Sequence, residues 1–374
     1  MTEEQVCLMA LRFVPGIGDQ LLRALVDYFG SAEEVFRQPA GRLTRLSGIG
    51  ALTARAIRSG NTRTSAEEEF RKAEQYQTRA VFYNEPGFPL RLQGIADAPA
   101  VLYIRGHLNL NRDRVLGIVG TRKATDYGRR FVDDFVRQLV PYQPVILSGL
   151  AYGIDIRAHQ AALEAGLPTV AVIGSGMDRI YPWAHADTAM KMLGNGALIT
   201  EQRFGAQPDA HHFPARNRII AGLCDALVVV EASEKGGALI TADIAASYNR
   251  DIFAVPGNVD LSSSAGCNKL IRNQQAQLIT AAKELEFHLN WSPGTMESIS
   301  DRPETGTADP LERLVMNALG NSKGLHIDEL LATTALQAGT LATCLLQLEL
   351  NGKIKALPGR VYRNARSERS TISN

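Results

Sequence analysis

The feature that most constrains the fold is an apolar run that ends in a glycine-rich turn and continues into a helical pattern. Val145–Leu147 predicts a buried strand, Ser148, Gly149 and Gly153 predict the turn, and a helix is expected from Ile154. Such a unit leaves free backbone N–H groups at the carboxyl edge of a sheet, where phosphate binds well. A single turn of this kind is equally compatible with a tight connection that holds no ligand.

The same unit recurs throughout residues 81–290. Apolar runs alternate there with helical stretches of about a dozen residues, as in Tyr127–Val140 and Ile154–Ala165. This alternation predicts an α/β domain with a Rossmann-like, doubly wound parallel sheet and right-handed crossovers. The predicted strands are Val101–Ile104, Val115–Val119, Val145–Leu147, Val170–Ile173, Ala197–Thr200, Ala226–Val230, Ile252–Val255 and Gln277–Ile279.

The loops that follow these strands contain the candidate binding residues. Ligands of such sheets bind beyond the carboxyl ends of the strands. Glycine lets the backbone approach a ligand, hydroxyl and N–H groups satisfy phosphate oxygens, and cations supply the opposite charge. Several such loops at one sheet edge favour a phosphate-rich ligand. The candidates are Gly120, Thr121, Arg122, Lys123, Ser148, Gly149, Gly174, Ser175, Gly176, Lys235, Gly236 and Gly237.

A further helix is predicted to begin at Pro214, because proline is preferred at the first helical position. Arg216 and Arg218 then fall in its first turn, where each cation opposes the helix dipole by ~0.3–1 kcal/mol. Two cations in a disfavoured turn indicate an anionic ligand. The alternative is that they pair with local carboxylates such as Asp209 or Asp225.

The motifs of common cofactor and catalytic sites are absent. No Gly-x-Gly-x-x-Gly follows Val119 or Ile173, and no GxxxxGK[ST], Gly-x-Ser-x-Gly or His-x-x-x-His occurs. The two adjacent histidines, His211 and His212, are expected to lie in a loop or at the start of a helix rather than to bind a metal. Asp155, at the opening of a helix, is expected to stabilise that helix. The sequence therefore predicts no cofactor, no metal and no catalytic residue.

Length and composition limit the remaining possibilities. A chain of 374 residues predicts two or three domains of ~150 residues each. The net charge is only +1, so any basic binding surface must be local. The four cysteines are scattered, as expected for reduced thiols. With no signal peptide and no apolar run near ~18 residues, we expect a cytoplasmic protein without a membrane span.

Two similar pentapeptides, Val14–Gly18 and Leu46–Gly50, lie between helical patterns near the N-terminus. They resemble a tandem helix-hairpin-helix unit, a SAM-like arrangement whose turns give N–H groups to DNA phosphates in that family. The second pentapeptide is followed by Arg55 and Arg58, whereas the first is followed by Asp19. Two interpretations stay open for residues 1–80: at least one hairpin contacts DNA, or a small helical domain uses the glycines only for tight turns.

The C-terminal region predicts a linker, a small domain and a tail. Residues 291–310 are rich in Pro, Gly, Ser and Thr, which is typical of a flexible linker. Residues 311–364 predict a winged helix with an apolar stripe of Leu341, Leu345 and Leu348, and residues 365–374 predict disorder. Two interpretations stay open for the winged helix, contact with a protein and auxiliary contact with DNA. A helix that reads the major groove favours cations at its outward positions, and none occurs here at Gln337, Thr340, Thr343 and Gln347.

Five motifs in a fixed order carry a more specific resemblance. They are GTR at 120–122, SGLAYGID at 148–155, FPARNRIIAG at 213–222, the pair LVVVEA and GGALITA within 227–242, and FAVPGN at 253–258. Together they resemble the DprA/Smf family of DNA-processing proteins in natural transformation, and they span almost the whole central domain.

This resemblance implies a recombination mediator rather than an enzyme. Such a protein binds single-stranded DNA, forms a homodimer through its Rossmann-like domain, works with or displaces single-strand-binding protein, and loads RecA recombinase. The family's Gly-Ser/Thr-Arg motif falls on 120–122 and contacts DNA. Its basic pocket is expected to use Arg216, Asn217, Arg218 and Lys235, with Phe213 stacking on a base. A lysine that often follows the family's Tyr-Pro pair is replaced here by Trp183, which could stack instead.

The alternative is nucleotide binding, or hydrolysis of a nucleoside monophosphate on the same kind of sheet. The segment GGALITAD resembles the PGGxGTxxE motif of the phosphoribohydrolases called LOG. Here Leu239 or Ile240 replaces the third glycine, and the motif's glutamate is absent. This departure weighs against hydrolysis.

Overall fold

The computed structural model divides into two compact units, Met1–Met296 and Glu297–Asn374. It describes residues 1–209, 212–294, 310–319, 325–334, 336–350, 354–357 and 361–364.

Six helices open the first unit. Thr2 caps the first of them through reciprocal bonds with Gln5. The two glycine turns bend at Gly16 and Gly48, whose φ angles of 87° and 90° are strained for any other residue. Each turn leads into a helix, so the region contains the two predicted hairpins. The helices are α1 (Glu3–Arg12), α2 (Asp19–Phe29), α3 (Ala32–Arg37), α4 (Ala40–Leu43), α5 (Ala51–Ser59) and α6 (Arg63–Gln75).

A nine-stranded sheet follows, with the order β1-β2-β6-β5-β4-β3-β7-β8-β9. The predicted doubly wound α/β fold is confirmed, and all eight predicted strands are present. The strands are β1 (Thr78–Phe82), β2 (Val101–Gly106), β3 (Val115–Gly120), β4 (Val145–Ser148), β5 (Thr169–Val172), β6 (Gly196–Thr200), β7 (Ala226–Val230), β8 (Asp251–Ala254) and β9 (Gln277–Leu278).

The sheet is not wholly parallel, which corrects the prediction. β2 runs antiparallel to both β1 and β6, as in the pairs Tyr103 with Thr200 and Ile104 with Ile199. The start of β2 is buried throughout, and an apolar run of this kind is typical of a parallel strand. Strand direction depends on the connections, which an apolar run does not encode.

The central helices lie between the strands. From β3 the sheet grows in one direction, with β4, β5 and β6 placed side by side in chain order. The chain then returns to the other side of β3, where β7, β8 and β9 extend the sheet in the opposite direction. The order therefore reverses between β3 and β7. The helices are α7 (Leu90–Gln93), α8 (Asp126–Gln138), α9 (Ile154–Glu164), α10 (Ala186–Met192), α11 (His212–Leu223), α12 (Gly237–Ser247), α13 (Ala265–Arg272) and α14 (Glu284–Leu289).

The N-terminal helices share a core with the sheet. Leu8 and Met9 of α1 belong to the same buried cluster as Tyr103 and Leu198 of the sheet. The Tyr103 hydroxyl donates to the Met9 sulfur at 3.4 Å. The predicted boundary at residue 80 also falls inside β1. Residues 1–80 are thus packed into the first compact unit, because their apolar face covers one side of the sheet.

The second unit contains three helices and a three-stranded antiparallel sheet, the predicted winged-helix arrangement. Leu341, Leu345 and Leu348 are buried as predicted. Of the predicted linker 291–310, residues 295–309 lie outside the described residues, as does the predicted tail at 365–374. At the ends of the predicted linker, Trp291 is buried and a helix begins at Pro310. The elements are α15 (Pro310–Leu319), β10 (Leu325–His326), α16 (Ile327–Thr334), α17 (Ala338–Leu350), β11 (Ile354–Leu357) and β12 (Val361–Asn364).

Across the described ranges, no single helix is both long and apolar enough to cross a membrane, although the bent pair Ile327–Thr334 and Ala338–Glu349 passes on length and composition alone.

Candidate functional site

A cleft of about 430 Å³ lies where the strand order reverses, at the carboxyl ends of β3 and β7. This is the position at which open α/β sheets bind ligands. We name it the switch-point cleft. Eight of the predicted site residues line it, and they come from three separate segments of the chain: Gly120, Thr121, Arg122, Phe213, Arg216, Asn217, Gly236 and Gly237.

Three helices begin at this sheet edge, and their N-termini differ. The Glu231 carboxylate accepts a hydrogen bond from the Thr125 N–H at 2.9 Å and thereby occupies the start of α8. Asp155 occupies the start of α9 and accepts from the Ala151 N–H at 3.4 Å. By contrast, α12 has Gly236 as its N-cap, no side-chain cap and no acid in its first turn. Of the three, α12 is the one whose N-terminus can receive an external anion.

An exposed cation stands beside a row of aromatic rings at the mouth of the cleft. The Arg122 guanidinium lies 5.3 Å from the centre of the Phe213 ring. The Tyr181 ring lies 5.9 Å from that of Phe213. Tyr181 is 46% exposed, and Trp183, two residues later, is 80% exposed. Cations hold a nucleic-acid backbone and exposed rings stack on bases, so this combination fits a single strand.

Arg216 forms the floor of the cleft and is only 6% exposed. Its Nη1 donates to the Gly149 carbonyl and to the Val172 carbonyl, the latter at 2.6 Å. A Cβ on Gly149 would overlap the Arg216 guanidinium, so any larger residue there would displace this side chain. Burial lowers the pKa of Arg216, and nearby Asp155 opposes that shift. Arg216 therefore ties together the ends of β4 and β5.

Arg218 points away from the cleft. It pairs closely with Glu201 and lies 3.6 Å from Asp19 of the first hairpin. Burial raises the pKa of Glu201, and Arg218 opposes that shift. Residues two apart on a helix point about 200° apart, which explains the divergence of Arg216 and Arg218. Arg218 thus braces α11 against the N-terminal helices.

The start of α11 corrects the dipole prediction. The helix begins at His212 rather than at Pro214. Arg216 and Arg218 therefore lie beyond the first turn, where the unfavourable dipole term has faded. The predicted partner Asp225 pairs with Arg91 at 2.7 Å instead. The other histidine of the 211–212 pair lies outside the described residues.

Three family profiles match this chain. The family profile described as DNA recombination-mediator protein A matches residues 79–290. A DprA winged-helix profile matches residues 300–360, and a SAM-like helix-hairpin-helix tandem profile matches residues 8–60. The chain belongs to the DprA/Smf family.

Individual relatives of this DprA/Smf chain agree with the profiles. Protein Smf of Synechocystis is 30% identical and aligns over 96% of this chain and 98% of its own length. The X-ray structure of DprA from Streptococcus pneumoniae gives a TM-score of 0.66 at 31% identity, covering 78% of this chain and 99% of its own. DprA from Helicobacter pylori gives 0.53 at 27% identity, covering 58% and 98%. The Helicobacter protein is described as having a unique binding mode for single-stranded DNA.

Four of the predicted residues face inward in this DprA/Smf chain. The Ser148 hydroxyl donates to the Ile118 carbonyl and the Ser175 hydroxyl to the Arg179 carbonyl, each at 2.6 Å. Both serines are buried, and buried hydroxyls require such partners. The two hydroxyls thus have partners within the protein, and their role as phosphate ligands stays a prediction. Gly174 packs under the Phe213 ring, and Gly176 packs closely against the backbone of residues 203–205.

Two lysines flank the site, and two further residues near it were not predicted from the sequence. Lys123 and Lys235 are exposed beside the cleft-lining segments but do not line the cleft. Tyr181 was missed as a ring of the aromatic row, because its contact with Phe213 joins distant segments. Glu231 was not predicted as the carboxylate that accepts hydrogen bonds from Thr125, the N-cap of α8. Its signal was an acid directly after an apolar strand, and its backbone has a φ of 54°, unusual for a residue other than glycine.

Proposed function

We propose that this DprA/Smf chain binds single-stranded DNA in the switch-point cleft. The observation that carries the proposal is the exposed Arg122 guanidinium stacked on Phe213 at the cleft mouth. In this proposal Arg122, Thr121 and the N–H group of Gly237, in the first turn of α12, hold phosphates. The rings of Phe213, Tyr181 and Trp183 stack on bases, and Lys123 and Lys235 add charge at the rim.

Binding rather than catalysis is favoured by the groups that line the cleft. Among the described residues that line it, Asp155 is the one carboxylate, and this group bonds to the Ala151 N–H and faces Arg216. Burial raises the pKa of Asp155, and Arg216 opposes that shift. Asp243, the last residue of the hydrolase-like segment GGALITAD, is exposed and does not line the cleft. These contacts support a structural role for Asp155 and leave phosphoribohydrolase chemistry without an evident acid or base.

The finer functional role follows from the family. We infer that the bound strand is protected as it enters the cell during natural transformation and is passed to RecA recombinase, with single-strand-binding protein displaced or retained alongside. We also infer a homodimer formed through the central domain. Arg216 and Arg218 support the proposal indirectly, because the first secures the cleft floor and the second secures α11, which carries Phe213.

Fluorescence anisotropy tests the proposal most simply. We expect the full chain to bind a labelled single strand much more tightly than a blunt duplex, with affinity falling as salt rises. Equal affinities for the two at physiological salt would refute a single-strand site. Release of free base from a nucleoside monophosphate would instead favour the hydrolase alternative.

The role as a mediator needs a separate assay. RecA filaments should form faster on strands coated with single-strand-binding protein when this chain is added, and light scattering should give the mass of a dimer. An Arg122→Ala chain should lose the acceleration yet keep the dimer mass. Acceleration that persists in this variant would separate RecA loading from the proposed cleft.

A further inference from the structure

A second cavity, of about 840 Å³, lies in the first unit between the N-terminal helices and the segment that follows β6. It is lined by His212 and by residues from three segments, 12–15, 62–72 and 202–207. We name it the α6 cavity. Among the residues that the structure describes, none lines both this cavity and the switch-point cleft. Its volume lies in the range of about 300–1,000 Å³ that is usual for small-molecule sites.

The α6 cavity contains cations that can receive an anion. Lys72 of α6 and Arg203 after β6 are both exposed, and neither forms an ion pair within the described ranges. Arg12 is a third cation of the lining, and its guanidinium donates to the Glu201 carbonyl at 2.8 Å. Cations of this kind form strong, charge-assisted hydrogen bonds to phosphate.

The two acids of the cavity already have partners. Glu68 lies 3.8 Å from Arg71, which does not line the cavity. Glu69 is only 4% exposed, and its carboxylate accepts a hydrogen bond from the Phe204 N–H at 2.8 Å. Burial raises the pKa of Glu69, and the bond from Phe204 opposes that shift, as do the charges of Lys72 and Arg203. Glu69 therefore ties α6 to the segment after β6 and fixes the shape of the cavity.

Two polar atoms at the α6 cavity are buried without a hydrogen-bond partner among the described residues. They are Nε of Arg12 and Oγ1 of Thr62, and both residues belong to the lining. Most buried polar groups in folded proteins are paired, so each exception needs an explanation. A polar ligand in the cavity would explain both, because it would bring donors and acceptors to the same place.

The cavity also has an apolar wall, which consists of residues 13–15 and Phe204. The side chains of Gln202 and Gln207 line the same cavity, and an amide can both donate and accept hydrogen bonds. An aromatic base fits against an apolar wall, its polar edge suits amides, and a phosphate suits cations. We propose that the α6 cavity binds a free nucleotide, with its phosphate at Lys72 and Arg203 and its base against the apolar wall.

Isothermal titration calorimetry of the full chain with adenosine 5′-monophosphate tests this site. We expect the nucleotide to bind more tightly than adenosine or inorganic phosphate alone. Lys72→Glu with Arg203→Glu should weaken nucleotide binding at least about tenfold, because the lost phosphate contacts are charge-assisted. The matched control is Arg130→Glu with Arg137→Glu on α8, which makes the same change in net charge at exposed side chains that line neither site.

A second variant tests the cavity without a change in charge. Ser65 is an exposed residue of α6 that lines the cavity, so the indole of Ser65→Trp would occupy the space of the ligand. This variant should lose nucleotide binding and keep both the melting temperature and the single-strand affinity of the wild type. Nucleotide binding that survives in Ser65→Trp would overturn the proposal.

The remaining outcomes separate this cavity from the cleft. Loss in both cavity variants, with binding kept in the α8 control and in Arg122→Ala, supports the proposal. Loss in Arg122→Ala alone overturns it and assigns the nucleotide to the switch-point cleft. Equal loss in the α8 control overturns it as well, and so does a wild-type chain that binds inorganic phosphate as tightly as the nucleotide. A wild-type chain that binds the nucleotide but no single strand refutes the proposed function of the cleft and leaves the α6 cavity standing.

Discussion

Two cationic regions of the molecule, the switch-point cleft and the second hairpin, are built in opposite ways. The second hairpin presents the exposed side chains of Arg42, Arg45, Arg55 and Arg58, which we name the arginine face. The cleft rests on buried groups: Arg216 is bonded to strand carbonyls, and Asp155 fills a helix start beside it. The arginine face consists of solvent-exposed cations on α4, on α5 and in the turn between them, and these elements pack on an apolar core. The difference teaches that a site for bases needs a rigid shape, whereas a basic surface needs mainly exposed side chains.

This contrast also separates stability from binding. A substitution under the cleft changes the core, because its polar groups satisfy one another in the absence of water. A substitution on the arginine face changes only the electrostatic field outside the protein. Variants of the two regions should therefore fall into distinct classes.

The largest effect is expected at the cleft floor. Arg216→Ala leaves Asp155 buried without its cation and removes a donor from the Gly149 and Val172 carbonyls. The free energy of unfolding should fall by about 3–5 kcal/mol, as measured by urea denaturation. Arg45→Ala, the matched change on the arginine face, should stay within ~0.5 kcal/mol of the wild type. Similar stabilities for the two variants would remove the contrast.

The next effect concerns binding alone. Arg122→Ala should weaken single-strand binding by ~1.5–3 kcal/mol, because charge-assisted bonds to phosphate are of this size. Its melting temperature should match the wild type, since Arg122 is exposed. Anisotropy and thermal melting on the same samples measure both quantities. Arg71→Ala is the control, and a comparable loss of affinity there would argue against a local contact.

A smaller effect concerns pH. Burial, aided by nearby Arg216 and His185, lowers the pKa of His159 from 6.5 to about 3. Its Nδ1 lies 2.7 Å from the Thr169 hydroxyl, which itself donates to the Ile146 carbonyl. Between pH 6.5 and pH 3 the unfolded chain therefore binds a proton on His159 that the folded chain does not bind. The free energy of unfolding falls as the pH falls through this range.

For His159 this amounts to about 2 kcal/mol of unfolding free energy between pH 7 and pH 5. A His159→Leu chain should lose much of that pH dependence, which denaturation at the two pH values measures. The arginine face contains no group that titrates in this range, so Arg45→Glu with Arg55→Glu should keep the wild-type slope. An unchanged slope in His159→Leu would show that other groups dominate the acid response.

The smallest effect is expected from removal of the second compact unit. A chain ending at Gly294 keeps the buried Trp291 and the bond from the Gly294 N–H to the Pro141 carbonyl. Because the first unit has its own core, this chain should fold, and its affinities for single strands and duplex should change by less than about twofold. Loss of solubility, or of either affinity, would assign part of a DNA surface to the winged helix.

Much of the fold could be predicted because its signals are local. Apolar runs separated by glycine turns identified every parallel strand, and Gly120, Thr121 and Arg122 were placed correctly at a carboxyl edge. The two hairpins followed from Gly16 and Gly48, whose positive φ angles require glycine. A sequence pattern is informative whenever one residue's own backbone decides the geometry.

The remaining features depend on contacts between distant segments. Arg218 was grouped with Arg216 because both follow Pro214, yet its partners Glu201 and Asp19 lie in other parts of the chain. The antiparallel direction of β2 depends on connections rather than on its apolar residues. Only Arg55 and Arg58 of the arginine face were singled out from the sequence. The separation of this surface from the first hairpin depends on the contacts that dock the first hairpin on the sheet.

Photochemical crosslinking tests the central claim most directly. A single strand containing 5-iodouracil is bound to the full chain, irradiated, and the modified peptides are identified by mass spectrometry. Because stacked rings capture this base, we expect crosslinks at Phe213 in the switch-point cleft, at Tyr181 beside it, or at the exposed Trp183 two residues further along the chain. Crosslinks confined to the N-terminal helices or to the winged helix, with none on these three rings, would contradict the account.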